Sequence, residues 1–135
     1  MRRRLKALAA GLAAITAVAV TASPAYAAHD WGEVFKGCRN HVIFDYARDG
    51  SGRMAGQGVL VCDQVRSVLR PEITVGYRNK FYFKGNLCTS VSYCATPMLY
   101  VPYQAGYRYT AQNAGTINQD FIWPQSAWAI VTVTG

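Results

Sequence analysis

The chain has 135 residues, with 14 Lys and Arg against 7 Asp and Glu and a formal net charge of +7. That length limits it to one modest domain once a leader is set aside. No stretch after residue 27 is apolar enough to span a membrane, and no linker, repeat or low-complexity tract divides it.

Residues 1 to 27 read as a secretory signal. Arg2, Arg3, Arg4 and Lys6 form a positive start, residues 8 to 20 are apolar, and Ala25 and Ala27 put small residues at −3 and −1 of a cut. The apolar run is shorter than the ~20 residues of a membrane span and stops at Ser23-Pro24, so cleavage after Ala27 is expected over anchoring. A cut after Ala28 is the alternative. The arginines half-match a twin-arginine signal, although the general secretory route accounts for them as well. Four of the basic residues and none of the acids lie in this segment, which leaves ten bases against seven acids in residues 28 to 135, a net of +3. Those charges are uneven. Residues 64 to 119 carry Arg66, Arg70, Arg78, Lys80, Lys84 and Arg108 against Glu72 alone, a balance suited to an extracellular protein or an anionic cell-wall component.

Next comes "AHDWGEVFK", residues 28 to 36, read as a mobile arm ahead of a single β domain spanning 28 to 135. "HVIFDYA" and "GQGVLVC" then flank the turn "RDGSGR", which reads as a hairpin. If the two strands pair across that turn, opposed residue numbers sum to about 100 and Cys38 faces Cys62 at a separation a disulfide can bridge. Gly56 and Gly58 would admit bulges in that ladder. "DQVRSVLRP" is ambiguous: Asp63 is able to cap a short helix with Val65, Val68 and Leu69 on one face before Pro71 stops it.

Further strands follow. "EITVGYR" alternates Ile73, Val75 and Tyr77, and "KFYFKG" puts Phe81 and Phe83 on one face with Tyr82 opposite. Cys88 and Cys94 clip "CTSVSYC" as a short loop, completing two disulfides. By chain entropy the large ring contributes about 3.5 kcal/mol and the small one about 2.4 kcal/mol. Zinc is the rival use of four cysteines, but no C-x2-C pair occurs. "YRYTAQ" and the β-branched "SAWAIVTVTG" close the chain. The pattern predicts an all-β fold, a small antiparallel sandwich or barrel with two disulfides.

Catalytic chemistry finds little support. His41 and Asp45 share a strand face about 13 Å apart, beyond hydrogen-bond reach. No G-x-S-x-G elbow or P-loop occurs, and the acids, Glu33 and Glu72 among them, stand in no glycosidase motif. A copper centre built on an N-terminal His29 with His41 as partner would need the less favoured cut after Ala28. The chain is therefore expected to be no enzyme, with no metal and no cofactor. It does hold many tyrosines: Tyr93, Tyr100, Tyr103, Tyr107 and Tyr109 crowd one segment with Pro97 and Pro102. Tyrosine combines an apolar ring, a polar tip and little rotamer entropy, which suits recognition.

The Arg-rich leader ending "AYA", about a hundred further residues, four cysteines and strands throughout resemble the small secreted two-disulfide β proteins of high-GC Gram-positive bacteria. The resemblance spans the full length and rests on these general features. It implies an extracellular protein; some members are inhibitors, some antimicrobial, some adaptors of exported particles. The reading is a secreted, non-catalytic binding or adaptor protein, with Tyr93, Tyr100, Tyr103, Tyr107, Arg78, Lys80, Lys84 and Trp31 as its contact residues. No nucleic acid partner and no stable membrane insertion after signal cleavage are expected. The alternatives are a protease or glycosidase inhibitor, with "CTSVSYCATP" as reactive loop, or an antimicrobial protein.

Overall fold

The computed structural model describes residues 28–135, so the expected leader lies outside the described residues. In chain order these form β1 (Ala28–Trp31), β2 (Cys38–Tyr46), β3 (Arg53–Arg70), β4 (Glu72–Tyr77), β5 (Lys80–Gly85) and β6 (Cys88–Ala95). β7 (Leu99–Pro102), β8 (Arg108–Asn113), β9 (Thr116–Ile117), a 3-10 turn (Gln125–Ala127) and β10 (Ala129–Thr134) complete them. The architecture is all-β: two antiparallel sheets form a half-barrel held by two disulfides.

The β2–β3 hairpin founds the first sheet. Its ladder runs from Tyr46 opposite Met54 to Cys38 opposite Cys62 with no slip, and the Cys38–Cys62 disulfide joins the last pair at a Cα–Cα distance of 3.9 Å. Gly56 and Gly58 admit no bulge in this ladder. A Cβ at Gly58 would lie 2.6 Å from Asn113 Oδ1, and one at Gly56 would lie 2.9 Å from Ile73 Cδ1. Both neighbours belong to the second sheet. The glycines let the two sheets touch.

β3 is the spine, and it corrects the helix reading. Instead of turning helical after Asp63, it stays extended to Arg70: Arg66, Val68 and Leu69 pair with Val91, Thr89 and Cys88 of β6, while Leu69 and Arg70 pair with Ile117 and Thr116 of β9. Pairing on both edges outweighs a helix of two turns, too short to be stable alone. Between Val61 and Arg66 the register slips, and Asp63, Gln64 and Val65 arch outward, exposed. Arg66 braces the arch by pairing with Asp63 at 2.8 Å and donating to Lys36 O at 2.9 Å.

The second disulfide also sits differently from expectation. Cys88 and Cys94 lie within one strand, not in a loop, with Cα atoms 5.9 Å apart. Six residues of straight strand would separate them by about 20 Å, so β6 doubles back on itself, with Ser90 at φ +56° in the left-handed region.

β7 extends the first sheet beside the start of β3. The second sheet runs β10-β8-β4-β5. Between the sheets lies the main core, built on Val42, Phe44, Met54, Ile73, Val75, Leu99, Val101 and Tyr109. A second cluster surrounds the Cys38–Cys62 bridge with Leu60, Leu69, Ile117 and Trp123. Two fully buried asparagines fasten the fold, Asn113 between the sheets and Asn40 between the first sheet and the connections around it. Asn113 of β8 donates to Val59 O (2.9 Å) and His41 O (3.1 Å) and accepts from Glu72 N (3.0 Å). Asn40 of β2 donates to Gly115 O and Ala127 O and accepts from Gly115 N.

The first residues of the expected mobile arm are tied down. β1 pairs with β2, His29 opposite Ile43 and Trp31 opposite His41. Glu33 N then donates to Ser126 O at 2.9 Å. Among the described residues no helix is long and apolar enough to cross a membrane.

Candidate binding face

One end of the half-barrel gathers four chain segments: the β2–β3 connection, the β4–β5 turn, the stretch between β7 and β8, and the C-terminal residue. The β4–β5 turn has consecutive positive φ values, +53° at Arg78 and +61° at Asn79, as a two-residue type I′ hairpin requires. Backbone bonds knit the rest: Tyr103 N to Gly52 O, Gly106 N to Gly135 O, and Gly135 N to Tyr107 O.

Tyrosines divide here by depth. Tyr109 alternates inward on β8 and is fully buried. Its ring stacks on Tyr77 at 4.6 Å, and its hydroxyl donates to Pro102 O and accepts from Gln104 N, both at 2.8 Å. Burial pushes the phenols of both Tyr77 and Tyr109 above their usual range. These two belong to the core.

Tyr46, Tyr100, Tyr103 and Tyr107 are each 38–42% exposed, and each is held by a neighbour. The Arg78 guanidinium lies 4.9 Å from the Tyr107 ring centre and donates to Gln104 Oε1 at 2.8 Å. Tyr103 meets Tyr46 edge-on at 5.1 Å. Arg53 lies 3.9 Å from the Tyr100 ring centre. It is anchored by donating to Ser51 Oγ (2.8 Å) and Asp49 Oδ2 (3.2 Å). Hydrogen bonds from Ser51, aided by Arg53, hold the Asp49 carboxyl down to about 2. Two open clefts flank Tyr46, and Arg48 lines both. The larger, about 770 Å³, lies between Tyr103 and residues 132 to 135; the smaller, about 380 Å³, runs to Met98 and Tyr100.

Of the sequence-predicted contact residues, Arg78, Lys80, Tyr103 and Tyr107 meet at this end, with Tyr100 alongside. Lys84 pairs with Ile73 away from the β4–β5 turn. Tyr93 projects from β6 opposite Val61, on the outer face that Arg39 shares. Trp31 lies flat on His41, 3.9 Å between ring centres, with Arg39 5.0 Å from its own centre. These three belong to other surfaces. Tyr46, Arg48, Arg53 and Gln104 were missed by sequence reasoning. The one available signal for Tyr46 and Arg48 was their place at the mouth of the "RDGSGR" turn.

Phe81 and Phe83 share the outer face of β5, as expected, and both are largely exposed, while Tyr82 packs against the core. On the first sheet His29 and His41 come together, Nδ1 to Nε2 3.4 Å. Partial burial and the neighbouring His29 hold His41 below its ordinary value of 6.5. Among the described residues no group of three His, Cys, Asp or Glu side chains gathers as a metal cage. Comparison with protein-family models, curated proteins and solved structures finds no match to this chain.

Proposed function

We propose that this is a secreted, non-catalytic binding or adaptor protein that recognises an extracellular partner through the aromatic, basic end of its half-barrel. One observation carries the reading: four part-exposed tyrosines stand on one end, two of them set against arginine guanidinium groups that are themselves hydrogen-bonded. Such side chains lose little freedom on contact, so their burial converts to affinity rather than to ordering cost. Arg48 and Arg53 are paired with Asp45 and Asp49 at this end, and the charge that Arg78 and Lys80 add beyond those pairs favours a partner with an acidic face. The two disulfides fit an oxidising, extracellular setting. A non-catalytic role is supported by the surroundings of His41: its ring contacts are His29 and Trp31, and Asp30, a carboxylate whose charge reaches it, accepts from Ile130 N instead of orienting the ring as a base.

The inhibitor alternative would need another segment than "CTSVSYCATP", since Cys88–Ala95 is paired into the sheet along β3 and does not stand free as a reactive loop. The binding reading is tested by capture from culture supernatant with wild-type protein and with Tyr103→Ala and Tyr107→Ala variants whose melting is unchanged. A partner recovered by wild type and lost by both variants supports it. Recovery by all three rules this end out.

A further inference from the structure

We infer that His29 and His41 form a two-imidazole site for a borderline first-row metal ion, Zn2+, Cu2+ or Ni2+, on the outer face of the first sheet. The site is independent of the tyrosine end. Its geometry follows from strand register. β1 pairs antiparallel with β2 so that His29 opposes Ile43 and His41 opposes Trp31; the two histidines are therefore diagonal neighbours with side chains on one face. His29 Nδ1 and His41 Nε2 lie 3.4 Å apart. Two nitrogens bonded to zinc at about 2.0–2.1 Å at the tetrahedral angle are separated by about 3.3–3.4 Å. As a hydrogen bond the same distance is long.

The rings are free to serve and one is held in place. Among the described residues neither imidazole makes another hydrogen bond or ion pair. His41 is clamped by Trp31, parallel within 5° at 3.9 Å, and Trp31 is backed by Arg39, whose Nε donates to Gly32 O at 2.8 Å. Imidazole suits zinc, copper and nickel, while calcium and magnesium prefer oxygen ligands. With two protein ligands, the other positions stay open to water or to a donor from outside. Sequence reasoning set this pair aside because it took His29 as a ligand only at a chain terminus made by the less favoured cut after Ala28; the pairing of β1 brings the rings together without any ligand from the chain terminus.

The test is titration of untagged protein with Zn2+ by calorimetry and with Cu2+ by tryptophan fluorescence, since Trp31 against His41 places a reporter at the site. One equivalent of metal should bind, with quenching by Cu2+. Removing either ligand should weaken binding at least as much as losing an outer-shell partner, about tenfold or more. His29→Ala and His41→Ala should therefore each lose about tenfold or more, with melting unchanged in metal-free buffer. Absence of stoichiometric binding would overturn the proposal. So would full affinity in His41→Ala, which would assign the metal to His29 and a chain terminus, and so would full affinity in His29→Ala.

Discussion

Replacing Asn113 with Ala tests how the two sheets are fastened. The side chain is fully buried and makes three hydrogen bonds, donating to Val59 O and His41 O of the first sheet and accepting from Glu72 N of the second. At about 1 kcal/mol net per bond, with buried backbone groups left unpaired, the loss should be about 3 kcal/mol. Gly58→Ala attacks the same contact from the other side. Its Cβ would fall 2.6 Å from Asn113 Oδ1, 2.7 Å from Cγ and 3.2 Å from Cβ, and overpacking of that kind costs about 1–3 kcal/mol. Once Asn113 is Ala, two of those three atoms are gone. The double variant should therefore be less destabilised than the sum of the singles, with a coupling of about 1–2 kcal/mol. Urea unfolding followed by far-UV circular dichroism, disulfides intact, measures all four proteins, and a common m value would show that the denatured state is unchanged. If Asn113→Ala lies within about 0.5 kcal/mol of wild type, or the two changes are additive within that margin, the fastening account is wrong.

Removing the large ring by Cys38→Ala with Cys62→Ala should cost about 3.5 kcal/mol by chain entropy; a loss under about 1 kcal/mol in the same urea assay would mean that the denatured chain is already constrained. Tyr109→Phe deletes the hydroxyl that bridges Pro102 O and Gln104 N, so melting should fall by an amount equivalent to about 1–2 kcal/mol and the Gln104 amide should exchange faster; unchanged exchange would deny the bridge. The Asp49 carboxyl should titrate at about 2 by NMR, against its ordinary value of 3.8, and Ser51→Ala should raise it. Because that group is depressed in the fold, its stabilising contribution is present above 3.8 and lost as pH falls towards 2; an unshifted Asp49 would deny the Ser51 hydrogen bonds that hold it.

Local pattern revealed the elements whose partners lie nearby in sequence. The hairpin around "RDGSGR" set the Cys38–Cys62 register because its turn and both strands are contiguous. The second half of β3 was not legible. Val65, Val68 and Leu69 satisfy a helical spacing, and what overrides it is pairing with β6 and β9, some 19 to 48 residues away. The glycines of β3 were seen but misread, because the residues they make room for, Ile73 and Asn113, sit in the other sheet. For the site, alternation alone could not sort the tyrosines. Tyr107 and Tyr109 have the same parity, yet one is buried and the other is part-exposed because β8 starts between them, at Arg108. Where the barrel ends is a tertiary fact. Tyr46 shows the same: it continues the inward series of Val42 and Phe44 but stands exposed beyond the core.

The measurement closest to the central claim is the dissociation rate of the captured partner from wild-type protein and from Tyr103→Ala and Tyr107→Ala, taken with the melting temperature of each free protein. Truncating an anchor of a contact surface costs of order 2 kcal/mol, about a 30-fold faster dissociation. Recognition through this end requires that acceleration with melting unchanged. Lowered melting with the wild-type dissociation rate would contradict it, and would make these tyrosines part of the packing that closes the barrel end.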